Sequence, residues 1–147
     1  MKKNLMSKIF ALAGSIMVKR VWVEDGNEVR KGLDPSDTRK ITRALDNNWV
    51  ITFPQGTTTP FVPGRKGTAF IVKHHKPIVI PVVVDGFSTA FNKKGIKVIK
   101  KGTRLSVTFK DPMQINYEDS TEKILEDIMD AIEQSSKFKP QPVSPSV

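Results

Sequence analysis

Several residue types and patterns are missing from this 147-residue chain. It has no cysteine, which excludes disulfide bonds and zinc–thiolate sites and allows a reducing cytoplasm. No apolar run approaches the roughly 20 residues that a transmembrane helix needs. The apolar run at positions 9–12 is shorter than the about 7–15 residues of a signal-peptide core. We therefore expect neither a signal peptide nor a membrane-spanning helix.

Histidine is also scarce, since His74 and His75 are the only two. Neighbouring residues of a helix point in different directions, so this pair is poorly placed to chelate one metal ion. Lys73 and Lys76 flank the pair and disfavour a protonated imidazole. No serine has a histidine placed to activate it. We expect no metal site, no self-contained catalytic set and a surface position for both histidines.

What the chain has in excess is positive charge, with a formal net charge of +9. Seven of its fifteen acidic residues lie between Glu118 and Glu133, so the rest of the chain is strongly basic. Such a body attracts phospholipid head groups, coenzyme A phosphates, acidic carrier proteins or nucleic acid; a merely soluble basic surface is the alternative. The aromatic residues are scattered and no helix pattern carries a stripe of cations, so we expect no nucleic-acid partner.

Apolar periodicity and turn residues predict the outer elements of the chain. A basic amphipathic helix at 3–13 could touch a membrane or pack on a sheet. Further predictions are a strand at 15–23, a helix from Asp34 to Leu45, a hairpin from strands 96–99 and 104–109, and a helix at 121–134. We expect a single domain over residues 1–136 and a disordered, proline-rich tail over 137–147.

The central stretch, residues 49–87, reads as strand, turn, basic loop, helix and buried strand. The β-branched and aromatic run 49–53 stops at Pro54, which has no N–H to donate. Gly56 and three threonines follow, and then Arg65 and Lys66 precede an apolar helical stretch at 68–73. A helix N-terminus beside two cations favours phosphate. The sequence therefore predicts an anion site here.

The apolar run 78–84 lacks alternation, which is typical of a strand covered on both faces. We expect an α/β fold, with a mixed, largely parallel sheet flanked by helices. The strands at 49–53 and 78–84 should be adjacent and central in that sheet. Lys19 and Arg20 lie near the end of the predicted strand 15–23. Ligands of α/β sheets gather at strand ends, so Arg20 could bind phosphate or form a solvated charge pair.

Three stretches of the sequence resemble motifs of the glycerolipid acyltransferase family, of the lysophosphatidate acyltransferase type. Residues 53–58, FPQGTT, are similar to its FPEGTRS block, and residues 76–82, KPIVIPV, to its VPIVPV block. Residues 14–20, GSIMVKR, resemble its G-x-I-F-I-x-R block. The three occur in the family's order, and the resemblance spans roughly residues 3–110.

The resemblance implies a glycerol-3-phosphate/lysophosphatidate acyltransferase-like fold and acyl transfer from acyl-CoA or acyl-carrier protein to a lysophosphatidate-like glycerolipid. It implies these residues for substrate binding, with two further cations added by the helix argument: Arg20, Pro54, Gln55, Gly56, Thr57, Thr58, Arg65 and Lys66. It implies that five residues line the acyl path: Ile78, Val79, Ile80, Pro81 and Val82. No cofactor is implied, and we expect a cytoplasmic protein, peripheral at the inner face of the membrane, with anionic phospholipid or lysophospholipid as partner.

The chain also departs from the family pattern. Gln55 replaces a glutamate and Thr58 an arginine, so Arg65 or Lys66 would have to supply the charge for phosphate. The catalytic His-x-x-x-x-Asp block is missing before Gly14, and the positions five residues after His74 and His75 are Val79 and Ile80. We therefore expect the C-terminal portion of such a domain, inactive by itself. The alternatives are a non-catalytic membrane- or partner-binding remnant and, third, a basic nucleic-acid-binding domain.

Overall fold

A computed structural model describes residues 14–16, 22–24, 27–29, 35–57, 59–92 and 97–140. The chain divides into two compact units, Met1–Ile51 and Thr52–Val147, which are described separately below. The predicted helix at 3–13, Arg20 and Thr58 lie outside the described residues. The predicted tail is described only to residue 140, and its first residues contribute to a short 3₁₀-helix, Ser136–Phe138.

The first unit contains a short hairpin and one long helix among its described residues. Strands β1 (Trp22–Glu24) and β2 (Asn27–Val29) pair antiparallel, with Glu24 opposite Asn27. Helix α1 (Pro35–Asn47) confirms the helix expected from residue 34 to residue 45. It buries Ile41, and it also buries the carboxylate of Asp37, which accepts a 2.8 Å hydrogen bond from Lys40.

The second unit is built around two helices, α2 (Lys66–His75) and α4 (Thr121–Ala131). Their contact forms the core from Ala69, Val72, Ile124 and Ile128. Ile124 and Ile128 are four residues apart and thus on one face of α4, as its apolar stripe predicts. Ser120 begins α4 by accepting a 3.1 Å bond from the backbone N–H of Lys123. Both helices confirm predictions from the sequence.

Between these helices the chain forms a two-stranded antiparallel sheet. Strand β3 (Val82–Asp85) pairs with β4 (Ser106–Phe109) in the register Val82 to Phe109. The short helix α3 (Phe87–Ala90) follows β3 directly after Gly86. Gly86 has a φ of +81°, and a Cβ atom there would lie 2.1 Å from the carbonyl oxygen of Arg104. Only glycine therefore fits at this junction.

The predicted mixed, largely parallel sheet flanked by helices is wrong, because the described strands form two separate antiparallel pairs. Residues 49–53 are not a strand, and the side chain of Trp49 is 87% exposed. Within the run 78–84, only residues 82–84 belong to a strand, β3, and Ile78 is 83% exposed. Pro77 and Pro81 lack an N–H group, which keeps regular strand pairing from starting before Val82. An apolar run without alternation thus did not indicate a strand covered on both faces.

The predicted hairpin of strands 96–99 and 104–109 is also wrong. Strand β4 pairs with β3, and Val98 instead forms an isolated antiparallel bridge with Phe91. The close approach of Gly86 to Arg104 places β4 beside β3 immediately before the pairing begins. Alternation within residues 104–109 predicted a strand correctly, but it carried no information about its partner.

Replacing Ile124 with alanine should lower the free energy of unfolding by about 2–5 kcal/mol, because a buried isoleucine leaves a cavity in the helix–helix core. Ile124 is 1% exposed. The matched control is Ile78→Ala, which removes the same atoms from an exposed side chain and should change stability by less than about 0.5 kcal/mol. Urea unfolding measures both changes. A large loss for Ile78→Ala would show that residues 78–84 form the buried strand after all.

Candidate anion site

A tight turn spans residues 53–56 and contains Pro54. Pro54 is the only buried residue among the predicted substrate-binding residues that the structure describes. The backbone N–H of Gly56 donates to the carbonyl of Phe53 at 2.9 Å, which closes the turn. Gly56 has a φ of +61°, a conformation that glycine adopts without strain. The turn exposes Gly56 and Thr57 to solvent, so a ligand can approach the main chain here.

Arg65 joins this turn to the start of α2. Its backbone N–H donates to the carbonyl of Pro54, and its side-chain Nε donates to the carbonyl of Gln55, both at 2.9 Å. Arg65 is the N-cap residue of α2, and no side chain caps the helix. The guanidinium, the turn and the positive end of the helix dipole are therefore held together at one place.

Gln55 holds the basic loop through its amide. Its Nε2 donates a 2.9 Å hydrogen bond to the carbonyl of Val62, seven residues along the chain. A glutamate carboxylate cannot donate this bond at neutral pH, because it is an acceptor only. The glutamine that departs from the family motif thus has a structural role, and it also keeps a negative charge away from the turn.

The threonine hydroxyls of the turn engage each other. Thr59 donates its backbone N–H to Oγ1 of Thr57 at 3.2 Å, and the two hydroxyls are 3.4 Å apart. Both residues are exposed. The Thr57 hydroxyl is the donor in the contact between the two side chains, so its one O–H group is already engaged with Oγ1 of Thr59.

Lys66, predicted to join the site, contacts the acidic face of α4 instead. Its Nζ donates to Oε1 of Glu122 at 2.6 Å, and both side chains are exposed. The hydrogen bond from Lys66 is the largest cause that lowers the pKa of Glu122 from its ordinary value of 4.5. Of the predicted set, Pro54, Gln55, Gly56 and Arg65 meet at the turn, whereas Lys66 is neutralised by a carboxylate.

The predicted acyl-path residues form an extended segment with two different sides. Ile78 and Ile80 are exposed, while Val79 is half-buried and Pro81 is buried. Two backbone hydrogen bonds from the segment after β4 hold it: the Met113 N–H donates to the carbonyl of Val79, and the Lys110 N–H donates to the carbonyl of Pro81, both at 2.9 Å. The segment therefore presents an apolar edge to solvent that could contact an acyl chain.

The two histidines lie in the last turn of α2. The ring of His74 stacks on Phe70, with centroids 4.4 Å apart, and His74 is exposed. The described part of the chain contains no group of three or more histidine, cysteine or acidic residues that could hold a metal ion. Within the same residues, no helix has both the length and the apolar character needed to cross a bilayer.

Helix α1 carries a group of cations that the sequence analysis missed. Ser36, Arg39, Lys40 and Arg43 line a shallow surface groove, and all four are exposed. Arg39 and Arg43 are four residues apart and share a helix face, so the spacing alone could have shown this patch. The expectation that no helix carries a stripe of cations is therefore wrong for α1.

Substituting Lys66 with methionine should raise the pKa of Glu122 toward 4.5, because the main cause of its lowering is removed. Since this pKa is lower in the folded chain, the pair stabilises the fold above about pH 4.5, and the contribution is lost as the pH falls through the lowered pKa. An NMR titration of the Glu122 carboxyl measures the shift. The control is Lys123→Met, since Lys123 pairs with Asp127 at 2.6 Å on the same helix. An unchanged pKa of Glu122 without Lys66 would contradict the pairing.

Comparison with known proteins identifies no relative of this chain. No family model, no curated protein sequence and no solved structure matches the chain. The acyltransferase family therefore stays a resemblance carried by three sequence motifs.

Proposed function

We propose that this chain is the acceptor-binding part of a glycerolipid acyltransferase of phospholipid biosynthesis. In this proposal it holds the phosphate of a lysophosphatidate-like glycerolipid and transfers no acyl chain by itself. One observation carries the proposal: Arg65 is bonded through both its backbone N–H and its Nε to the turn that resembles the family's FPEGTRS block. The motif and the cation thus belong to one structure.

The geometry at Arg65 suits a phosphate. Because Nε is engaged with the carbonyl of Gln55, the plane of the guanidinium is fixed, while its two Nη groups carry four further N–H donors. Arg65 is exposed, so these donors can reach a ligand in solvent. Planar paired donors match phosphate oxygens better than an ammonium group does. Arg65 would then supply the charge that Thr58 cannot.

The apolar edge at Ile78 and Ile80 suits the hydrocarbon chain of the proposed substrate. A lysophosphatidate molecule carries one phosphate and one hydrocarbon chain, and the second unit offers a cationic turn and an exposed apolar segment. Acyl-CoA or acyl-carrier protein would be the donor, and no cofactor is needed. We place this function in the cytoplasm, at the inner face of the membrane.

The chemistry would require a general base that this chain does not carry in the family's motif. In acyl transfer, a base removes the proton of a glycerol hydroxyl, the oxygen attacks the thioester carbonyl, and the coenzyme or carrier thiolate leaves. A positioned base contributes about 10²–10⁴-fold to such a rate. His74 stacks on Phe70 at the far end of α2 from Arg65. We therefore assign binding, and not turnover, to these residues.

The patch on α1 favours a second candidate function, binding of a polyanion such as nucleic acid. Arg39, Lys40 and Arg43 line one groove of this helix. Lys40 is already paired with buried Asp37, which leaves a smaller net charge than three cations suggest. Binding to DNA whose affinity falls steeply with salt concentration would support this candidate over the acyltransferase proposal.

Replacing Arg65 with glutamine should weaken binding of glycerol 3-phosphate about tenfold or more, because charge-assisted hydrogen bonds to the phosphate are lost. Titration calorimetry with this soluble head group measures the effect without a membrane. The matched control is Arg43→Gln on α1, which removes the same charge from an exposed residue of the other unit. Equal losses for both variants would indicate general charge attraction and contradict the site.

The absence of turnover can be tested separately. The chain is expected to give no acyl transfer from acyl-CoA to lysophosphatidate, with or without the His74→Ala/His75→Ala substitutions. Product formation by mass spectrometry is the readout. Turnover that disappears in the double variant would show that one of these histidines is the base, and the assignment of binding alone would be wrong.

A further inference from the structure

A second surface of the same unit combines exposed apolar side chains with cations. Four side chains form what we name the apolar face: Val84 of β3, Leu105 just before β4, and Val107 and Phe109 of β4. All four are large hydrophobic side chains that remain in solvent, and Phe109 is 70% exposed.

The pairing of the two strands puts these side chains on one side of the sheet. Leu105, Val107 and Phe109 alternate along the chain, so they point the same way. Val84 lies directly opposite Val107 in the register and therefore shares its face. The result is one contiguous apolar surface without a partner in the described part of the unit, and not a set of scattered residues.

A group of cations lies immediately before this face in the chain. Lys97, Lys100, Lys101 and Arg104, here named the basic rim, are all exposed. The sequence has no acidic residue between Asp85 and Asp111. Among the described residues, none of the four cations takes part in an ion pair. Val98 and Ile99, which lie between them, are exposed as well.

Backbone contacts fix the basic rim beside the apolar face. The Ile99 N–H donates to the carbonyl of buried Ala90 at 2.7 Å, and the Thr103 hydroxyl donates to Lys100 at 3.1 Å. Arg104 lies against Gly86, which directly follows β3. The loop is thus folded onto α3 and the sheet, and it leads directly into the apolar face at Leu105.

From this arrangement we infer that the apolar face and the basic rim dock the protein onto an anionic lipid bilayer. Exposed aliphatic and aromatic side chains enter the boundary between head groups and hydrocarbon, and lysines beside them meet the negative surface. Nucleic acid fits less well, because three of the four side chains of the apolar face are aliphatic and only Phe109 offers a ring on which a base can stack. A second copy also fits less well, since a twofold contact would bring two basic rims together.

The inference is independent of the phosphate site, because the apolar face and the basic rim include neither Arg65 nor any residue of the turn. It adds to the proposed function a surface that would bring the acceptor-binding turn to the lipid that contains its substrate. The two claims can fail separately: a docking variant should keep its affinity for glycerol 3-phosphate, and an Arg65 variant should keep its binding to vesicles.

The test is sedimentation of the full chain with vesicles of phosphatidylcholine alone and with about one third phosphatidylglycerol. The wild-type chain should bind only the anionic vesicles. Lys100→Glu/Lys101→Glu should bind at least about 30-fold more weakly, since each lysine near an anionic surface contributes roughly fivefold. Phe109→Ser removes an exposed side chain and therefore leaves no cavity in the core. It should also weaken vesicle binding, while the net charge and the melting temperature stay unchanged.

The matched control is Lys123→Glu/Lys139→Glu, which makes the same change in net charge on exposed residues of the same unit outside the basic rim. It should retain vesicle binding within about threefold, because screening limits the influence of cations that do not contact the surface. Equal loss in both charge variants would overturn the inference, and so would wild-type binding by Phe109→Ser. Binding to single-stranded DNA but not to vesicles would overturn it in favour of nucleic acid. Dimerisation abolished by Phe109→Ser, with vesicle binding unchanged, would overturn it in favour of a second copy.

Discussion

The contact between α2 and α4 is the interaction on which the candidate site depends. Ala69 has no exposed surface, and its small side chain lets the helix approach Ile124 and Ile128 closely. The contact fixes the direction of α2 and therefore the position of its N-terminus, where Arg65 meets the turn. If the helices separated, α2 would lose this fixed direction, although the two hydrogen bonds from Arg65 would still join its N-terminus to the turn.

The same contact also limits the charge at the site. Helix α4 carries much of the chain's acid, and its packing on α2 brings Glu122 to Lys66 at 2.6 Å. Of the two cations at the start of α2, Lys66 is therefore engaged in a surface ion pair. Such a pair contributes little to stability. Arg65, held by backbone carbonyls instead of by a carboxylate, keeps its full charge for a ligand. The anion site proposed at the turn depends on this difference.

Local patterns predicted the helices of the described chain, whereas contacts distant in sequence decided the sheets. The periodicity of α4 and the start of α1 at Pro35 are encoded within one segment, and both were predicted correctly. Residues 78–84 are apolar at every position, so the sequence could not tell that Ile78 and Ile80 face solvent while Pro81 is buried. The partner of β4 depends on the close approach of Gly86 to Arg104, which no local pattern shows.

The site was predictable in part. The motif at residues 53–58 and the cations before α2 indicated the turn and Arg65, but not the use of the Gln55 amide to hold Val62. The pairing of Lys66 with Glu122 depends on two residues 56 positions apart, and it was invisible in the sequence. The cations of α1 could have been found from their helical spacing, because that signal is local.

The central claim is that a phosphate binds where the turn, Arg65 and the N-terminus of α2 meet. Backbone amide NMR during addition of glycerol 3-phosphate tests it most directly. The account predicts saturable shifts at Thr57, in the exposed part of the turn, at Lys66 and Gly67, the first residues of α2, and at Gly56, whose N–H closes the turn. Shifts confined to the basic rim or to α1, with these four amides unchanged, would contradict it.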